Sequence, residues 1–449
     1  MRNSRTGSGL VLIFGMLVIA GIGCTNYQIP GKEVIPQANT CEECHTDYAR
    51  LMEVYTPDTV ASFGGCEGEP PHYEPYDRVF LSGEGFDAFK ASPHYGVGCT
   101  GCHNGDKSAD TKEGAHSGEW TATPSMAYQE KCATCHETIT DAFVTSLHNG
   151  TGLKREVAMR AGLTGADQFD QLPAHQIEGY NEKCASCHGT CGNCHVVRPL
   201  IAGGGLADGH NFNKTPDMEL VCNECHTRGG NAFLGDTPGT QPDLHLTENG
   251  FDCLSCHDGH ELHGDGQPVD QRYAYTEKPE CENCHSGLET ENIYHTKHMG
   301  DFSCQVCHSQ DYNTCGAWDF KEGNVDFGPS LDFKIAVNPI PGLKDYSFVL
   351  VRRTSANPDN WVGYGEDLVY SNFDVLPTYE YTTPHNLQRW TQRTEVPGGF
   401  SCSYNCHIRN SGGELINSEY YLWADSLETW ELEATGPYTV DGKLPAYWF

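Results

Sequence analysis

The sequence is short of the residues that ordinarily build a core. Only 38% of its 449 residues are hydrophobic, against 50 glycines and 24 prolines, a balance that favours turns and irregular structure. Basic residues are also few. Lys and Arg number 28 against 61 Asp and Glu, giving a net charge of −33 at pH 7. A polyanion of that size repels phosphate backbones, so nucleic acid is all but excluded as a partner. Methionine is scarce, with seven in all. Long apolar runs are absent apart from Leu10 to Ile22, which falls short of the ~20 residues that a membrane span requires.

That run follows Arg2 and Arg5 and ends in small residues before Cys24. This is the layout of a signal peptide over residues 1–23. Cys24 after Gly21-Ile22-Gly23 resembles a lipoprotein cleavage site and is the lipidation candidate, although Gly21 stands where such sites usually carry Leu. Plain secretion and an uncleaved anchor are the alternatives. The chain is expected to be exported, to the periplasm, the outer membrane or the exterior, and to meet membrane only through that N-terminal lipid or anchor. Loss of Arg2 and Arg5 takes its charge from −33 to −35.

Cysteine and histidine are in excess, at 23 and 22. Cys-x-x-Cys-His occurs nine times: Cys41/Cys44/His45, Cys99/Cys102/His103, Cys132/Cys135/His136, Cys184/Cys187/His188, Cys191/Cys194/His195, Cys222/Cys225/His226, Cys253/Cys256/His257, Cys281/Cys284/His285 and Cys304/Cys307/His308. A tenth site, Cys402/Cys406/His407, has three spacer residues. Histidine is only 22 residues of 449, yet it follows every pair. This is the signature of c-type haem attachment, in which each thiol adds to a haem vinyl group and the adjacent His binds iron. Zinc sites do not require His after every cysteine pair. Redox-active Cys-x-x-Cys disulfides do not come in nines.

Ten His are thereby assigned as proximal ligands, and twelve remain: His72, His94, His116, His148, His175, His210, His245, His260, His263, His295, His298 and His385. His260/His263 and His295/His298 read as near-duplicates. Taking His263 and His298 leaves ten distal candidates for ten irons, so bis-His ligation throughout is expected. Methionine ligation raises reduction potential relative to His, so this set belongs at the low-potential end. Cys66 and Cys315 are left over, and a bridge between them is an open possibility. Cys315-Gly-Ala-Trp318-Asp319 reads as a motif that has lost its second Cys and its His.

The motifs start at uneven intervals, which argues against a repeat of fixed period. The expected fold is mostly irregular, with short α-helices, such as one over Glu137–His148, packed around a haem array in residues 24–315. Residues 316–396 lack further cysteine, are rich in Tyr, Trp and Phe, and carry strand-like runs at Tyr346–Arg353 and Asp367–Phe373. They are expected to form a small β-containing segment. Residues 397–449 hold the last haem site and a tail.

The run Cys184-Ala-Ser-Cys-His-Gly-Thr-Cys191-Gly-Asn-Cys-His-Val-Val-Arg-Pro199, with Gly203-Gly-Gly-Leu-Ala-Asp-Gly-His210, resembles a family of large exported multihaem c-type cytochromes. Ser303-Cys-Gln-Val-Cys-His308 and Thr383-Pro-His385-Asn-Leu-Gln-Arg-Trp390 extend the likeness over roughly residues 180–410. The resemblance implies electron transfer in anaerobic or metal-respiring bacteria, at the outer membrane or outside the cell. It also implies His210 and His385 as iron ligands. In that family the segment around Cys315 completes a haem site, which Trp318 and Asp319 break here.

The expected function is an electron relay through about ten haem c groups, with no catalytic residue of its own. It would pass electrons to redox partner proteins or extracellular acceptors. A filament-forming subunit is compatible with the same residues. The alternative is a reductase of the nitrite, hydroxylamine or tetrathionate type, which needs one iron with an open distal face beside acid–base groups.

Overall fold

The structure, a computed structural model, describes residues 40–58, 71–183, 185, 188–267, 269, 271–275, 277–312, 317–319, 326–328, 333–353, 372, 375–395 and 401–448. About 47% is helical, more than a mostly irregular chain implies, although the longest helix among the described residues, Ala133–Phe143, has 11 residues. The attachment motifs account for part of the difference. Thr40–His45, Cys99–His103, Cys191–His195 and Cys304–His308 are each about one turn of helix. Residues three apart share a helix face, so such a turn sets both thiols of a motif on one side with the His next to them. The helix expected over Glu137–His148 is observed as Ala133–Phe143 followed by a 3-10 turn, Leu147–Asn149.

Strands are confined to the C-terminal third among the described residues. A short pair, β1 (Ala317–Asp319) and β2 (Asp326–Gly328), is antiparallel. Strands β3 (Phe333–Val337), β4 (Phe348–Arg353) and β5 (Tyr379–Tyr381) form an antiparallel sheet in the order β3-β4-β5. A hairpin, β6 (Arg409–Ser411) and β7 (Glu414–Ile416), follows the last cysteine motif. The strand expected at Tyr346–Arg353 is β4. That at Asp367–Phe373, apart from Asn372, lies outside the described residues, as do Cys24, Cys66, Cys184, Cys187 and Cys315.

The three-stranded sheet is buried on both faces because side chains alternate along β4. Phe348 and Leu350 join Ile335, Phe302, Val306, Ile408, Tyr421, Val440, Leu444 and Trp448. Val349 and Val351 join Ala336, Tyr379, Tyr381 and Leu422 on the other side. The Cys304–His308 turn, the sheet and the C-terminal tail therefore share one core. Trp448 is the tie: it is 2% exposed, donates Nε1–H to the Tyr421 hydroxyl, and stacks on Phe302 at 5.1 Å and on His407 at 4.0 Å.

Buried polar clamps join more distant segments. Arg393 donates to the carbonyls of Val306 and Ser309 and pairs with Asp311 at 2.6 Å. Asn386 donates to the carbonyls of Ala232 and Gln241. A buried guanidinium persists only where its hydrogen bonds are satisfied, as these are. Among the described residues no helix is long and apolar enough to cross a membrane.

Trp448→Ala should lower the unfolding free energy by about 3–5 kcal/mol through cavity formation. Urea unfolding of the haem-loaded protein measures this. A loss below about 1 kcal/mol would show that the tail packs on the sheet without depending on this ring.

Candidate functional site

One continuous cavity of about 5230 Å³ runs among the cysteine motifs. A single ligand pocket ordinarily holds about 300–1,000 Å³, so the space suits on the order of ten such groups. All 22 histidines lie among the described residues, and 19 of them line this cavity. The three that do not are His72, His175 and His260.

The cavity histidines face one another in pairs, each joining a motif His to one from elsewhere in the chain. His45 faces His116 with ring centroids 6.2 Å apart, His103 faces His210 at 6.0 Å, and His136 faces His94 at 6.0 Å. His195 faces His263 at 6.1 Å, His226 faces His148 at 6.3 Å, and His257 faces His385 at 6.0 Å. His285 faces His245 at 6.0 Å, His308 faces His295 at 6.2 Å, and His407 faces His298 at 6.3 Å. Stacked rings pack more closely than this. Two imidazoles holding one metal atom between them, each through a nitrogen at about 2.0–2.1 Å, place their centroids roughly 6.3 Å apart. All nine pairs sit at that separation.

The outer ring nitrogens are tied down. Nδ1 of His45, His103, His195 and His308 meets the carbonyls of Val79, Thr121, Asn213 and Gln388 at 2.6–3.2 Å. On the facing rings, Nδ1 of His148, His295 and His298 meets the carbonyls of Leu262, Leu288 and Tyr294. A hydrogen bond at Nδ1 fixes the tautomer and leaves the Nε2 lone pair for a metal. Carboxylates do the same for His245 (Asp243, 2.9 Å) and His257 (Glu261, 2.7 Å). His94 and His210 have a buried Nδ1 without a partner. Their rings are held instead by Phe212, at 4.0 Å from His94, and Phe89, at 4.5 Å from His210.

Burial pushes His210, His226 and His385 down to about 4, so these rings are neutral at pH 7 and able to bind a metal. His257 is pushed up, chiefly by its hydrogen bond to Glu261.

Three placements differ from expectation. His72 is exposed, 3.7 Å from Glu74, and His175 sits on the helix Ala174–Lys183 away from the cavity; neither faces a motif His. His295 and His298 are not duplicates. Both project from the helix Ile293–His298, one toward His308 and the other toward His407. The remaining motif histidine, His188, faces no other histidine. Its Nδ1 lies 2.5 Å from the Tyr180 hydroxyl, and burial followed by the Lys154 charge pushes it down to about 4. Gly150, at φ +81, lies so close that a Cβ there would collide with the His188 ring.

The motifs also touch one another. The Cys41 thiol hydrogen-bonds that of Cys99, Cys132 that of Cys191, Cys222 that of Cys253 and Cys281 that of Cys304. Cys281, Cys304 and the Glu282 carboxylate lie within 4.8 Å of one another, a cluster that arises because two attachment motifs abut. Between these couples, Cys102 is within electrostatic reach of Cys132, Cys194 of Cys222, Cys256 of Cys284, and Cys307 of Cys406. Among the described residues, the motifs beginning at residues 41, 99, 132, 191, 222, 253, 281, 304 and 402 thus follow one another in series. Next to His188, Gly189 donates its N–H to the carbonyl of His148, which faces His226.

Sequence spacing offered no signal for Tyr180 and Trp448, because their roles come from tertiary contacts alone. Comparison of the chain with protein families, with curated proteins and with solved structures gives no match in any of the three.

Proposed function

We propose that this chain is an exported multihaem c-type cytochrome that relays electrons along nine bis-His haems in series. The observation that carries the reading is the set of nine histidine pairs at 6.0–6.3 Å. Each has a cysteine pair positioned by a helical turn beside its motif His. These residues fit haem c, which supplies a one-electron iron couple at each site.

The chain's own groups do the rest. Paired imidazoles would hold each iron from both sides and so would exclude substrate from it. Carbonyls at Nδ1 and the Asp243 carboxylate fix ring orientation, and the Glu261 carboxylate makes His257 a more basic ligand, a lever on potential. Abutting motifs would hold neighbouring haems close together, so that an electron would have a short step from each to its successor. The Arg2/Arg5 segment with Cys24 supports export and lipid anchoring. The strong acidity suits basic redox partners or metal cations, with an attraction that weakens as salt rises.

Intact mass of the purified protein should show ten haems beyond the polypeptide. A count of nine would remove the Cys402/Cys406 site, and a protein without covalent haem would end the reading. Replacing His210 or His385 by Ala should leave one further iron high-spin and able to bind CO. Electron paramagnetic resonance before and after the substitution measures this. An unchanged spectrum would show that His103 or His257 takes its sixth ligand elsewhere.

A further inference from the structure

Ten motif histidines line the cavity, and nine have a partner ring at metal-bridging distance. His188 does not. The three unused histidines cannot supply one where they stand: His72, His175 and His260 are all outside the cavity. The surroundings of His188 also differ in kind. The rings at His45, His103, His195 and His308 are oriented by backbone carbonyls, whereas His188 is held by a tyrosine hydroxyl. Tyr180 is itself fixed, being 1% exposed and packed edge-on against Phe169 at 4.5 Å. Phe169 in turn carries the Lys154 ammonium 5.6 Å from its ring centre. The local core of Val157, Phe169, Leu172 and Tyr180 is separate from the sheet core.

We propose that the iron of the haem attached beside His188 keeps one axial position open to a small exogenous ligand, a diatomic molecule or a small anion. The proposal rests on the multihaem reading. Tyr180 is a positioning residue there: it orients His188 through Nδ1 and leaves Nε2 for iron. An open iron fed by nine saturated ones is an arrangement in which electrons collected along the series can reach a bound molecule.

The test uses the full haem-loaded protein, with CO on the reduced form and electron paramagnetic resonance on the oxidised form. One CO should bind per ten haems within mixing time, and one high-spin ferric signal should be present before any ligand is added. Tyr180→Phe should shift the C–O stretching frequency of that single adduct while leaving the low-spin signals unchanged. A Cys184→Ala/Cys187→Ala double variant should carry nine haems by mass and bind no CO. A ten-haem wild type that binds no CO overturns the proposal, whichever side chain fills the position, and leaves the relay reading standing. CO binding that survives the double variant, or a stretching frequency that Tyr180→Phe does not move, places the open iron elsewhere and also overturns it. Absence of covalent haem would instead sink the relay reading itself.

Discussion

The arrangement of two imidazoles about 6 Å apart, with an iron-sized gap between them, is the constraint on which this fold depends. Nine such pairs join segments that share little else. His257 and His385, or His103 and His210, are brought together across long stretches of chain. Two imidazoles facing each other across such a gap gain little from each other. On the proposed reading they would gain a great deal from a metal ligated on both sides, and because the pairs exist only in the folded chain, that binding energy would be folding energy. The apolar clusters are small beside a cavity of about 5230 Å³, which agrees with a composition of only 38% hydrophobic residues.

Where the chain does have a conventional core, it serves the same end. The sheet β3-β4-β5 and the C-terminal tail pack around the Cys304–His308 turn, and Trp448 stacks on His407. The two terminal positions of the series are thereby set on a rigid base. Upstream, short helical turns and carbonyl-to-Nδ1 hydrogen bonds do the positioning, with each motif leaning on the next through its cysteines. The order of these nine positions follows from those contacts.

The Cys-x-x-Cys-His motifs were legible in the sequence because each is only five or six consecutive residues long. The small β-containing segment was legible too, from the aromatic and β-branched run that became β4. The facing histidines were legible only as a pool. Nothing in spacing separates His295 from His298 as a duplicate, since the helix that sends them to different partners forms only with its neighbours. His72 and His175 look like any surplus histidine until the chain places them on the outside. Helix content was underestimated because a Cys-x-x-Cys-His motif carries no apolar periodicity, although it coils into a turn to present both thiols.

The most direct measurement is the set of iron positions in crystals of the haem-loaded protein, located by anomalous scattering at the iron absorption edge. Nine irons should lie at the midpoints of the nine histidine pairs, in the order of the motifs beginning at residues 41, 99, 132, 191, 222, 253, 281, 304 and 402, with the tenth beside His188. Irons lying away from those midpoints, or strung in a different order, would contradict the account.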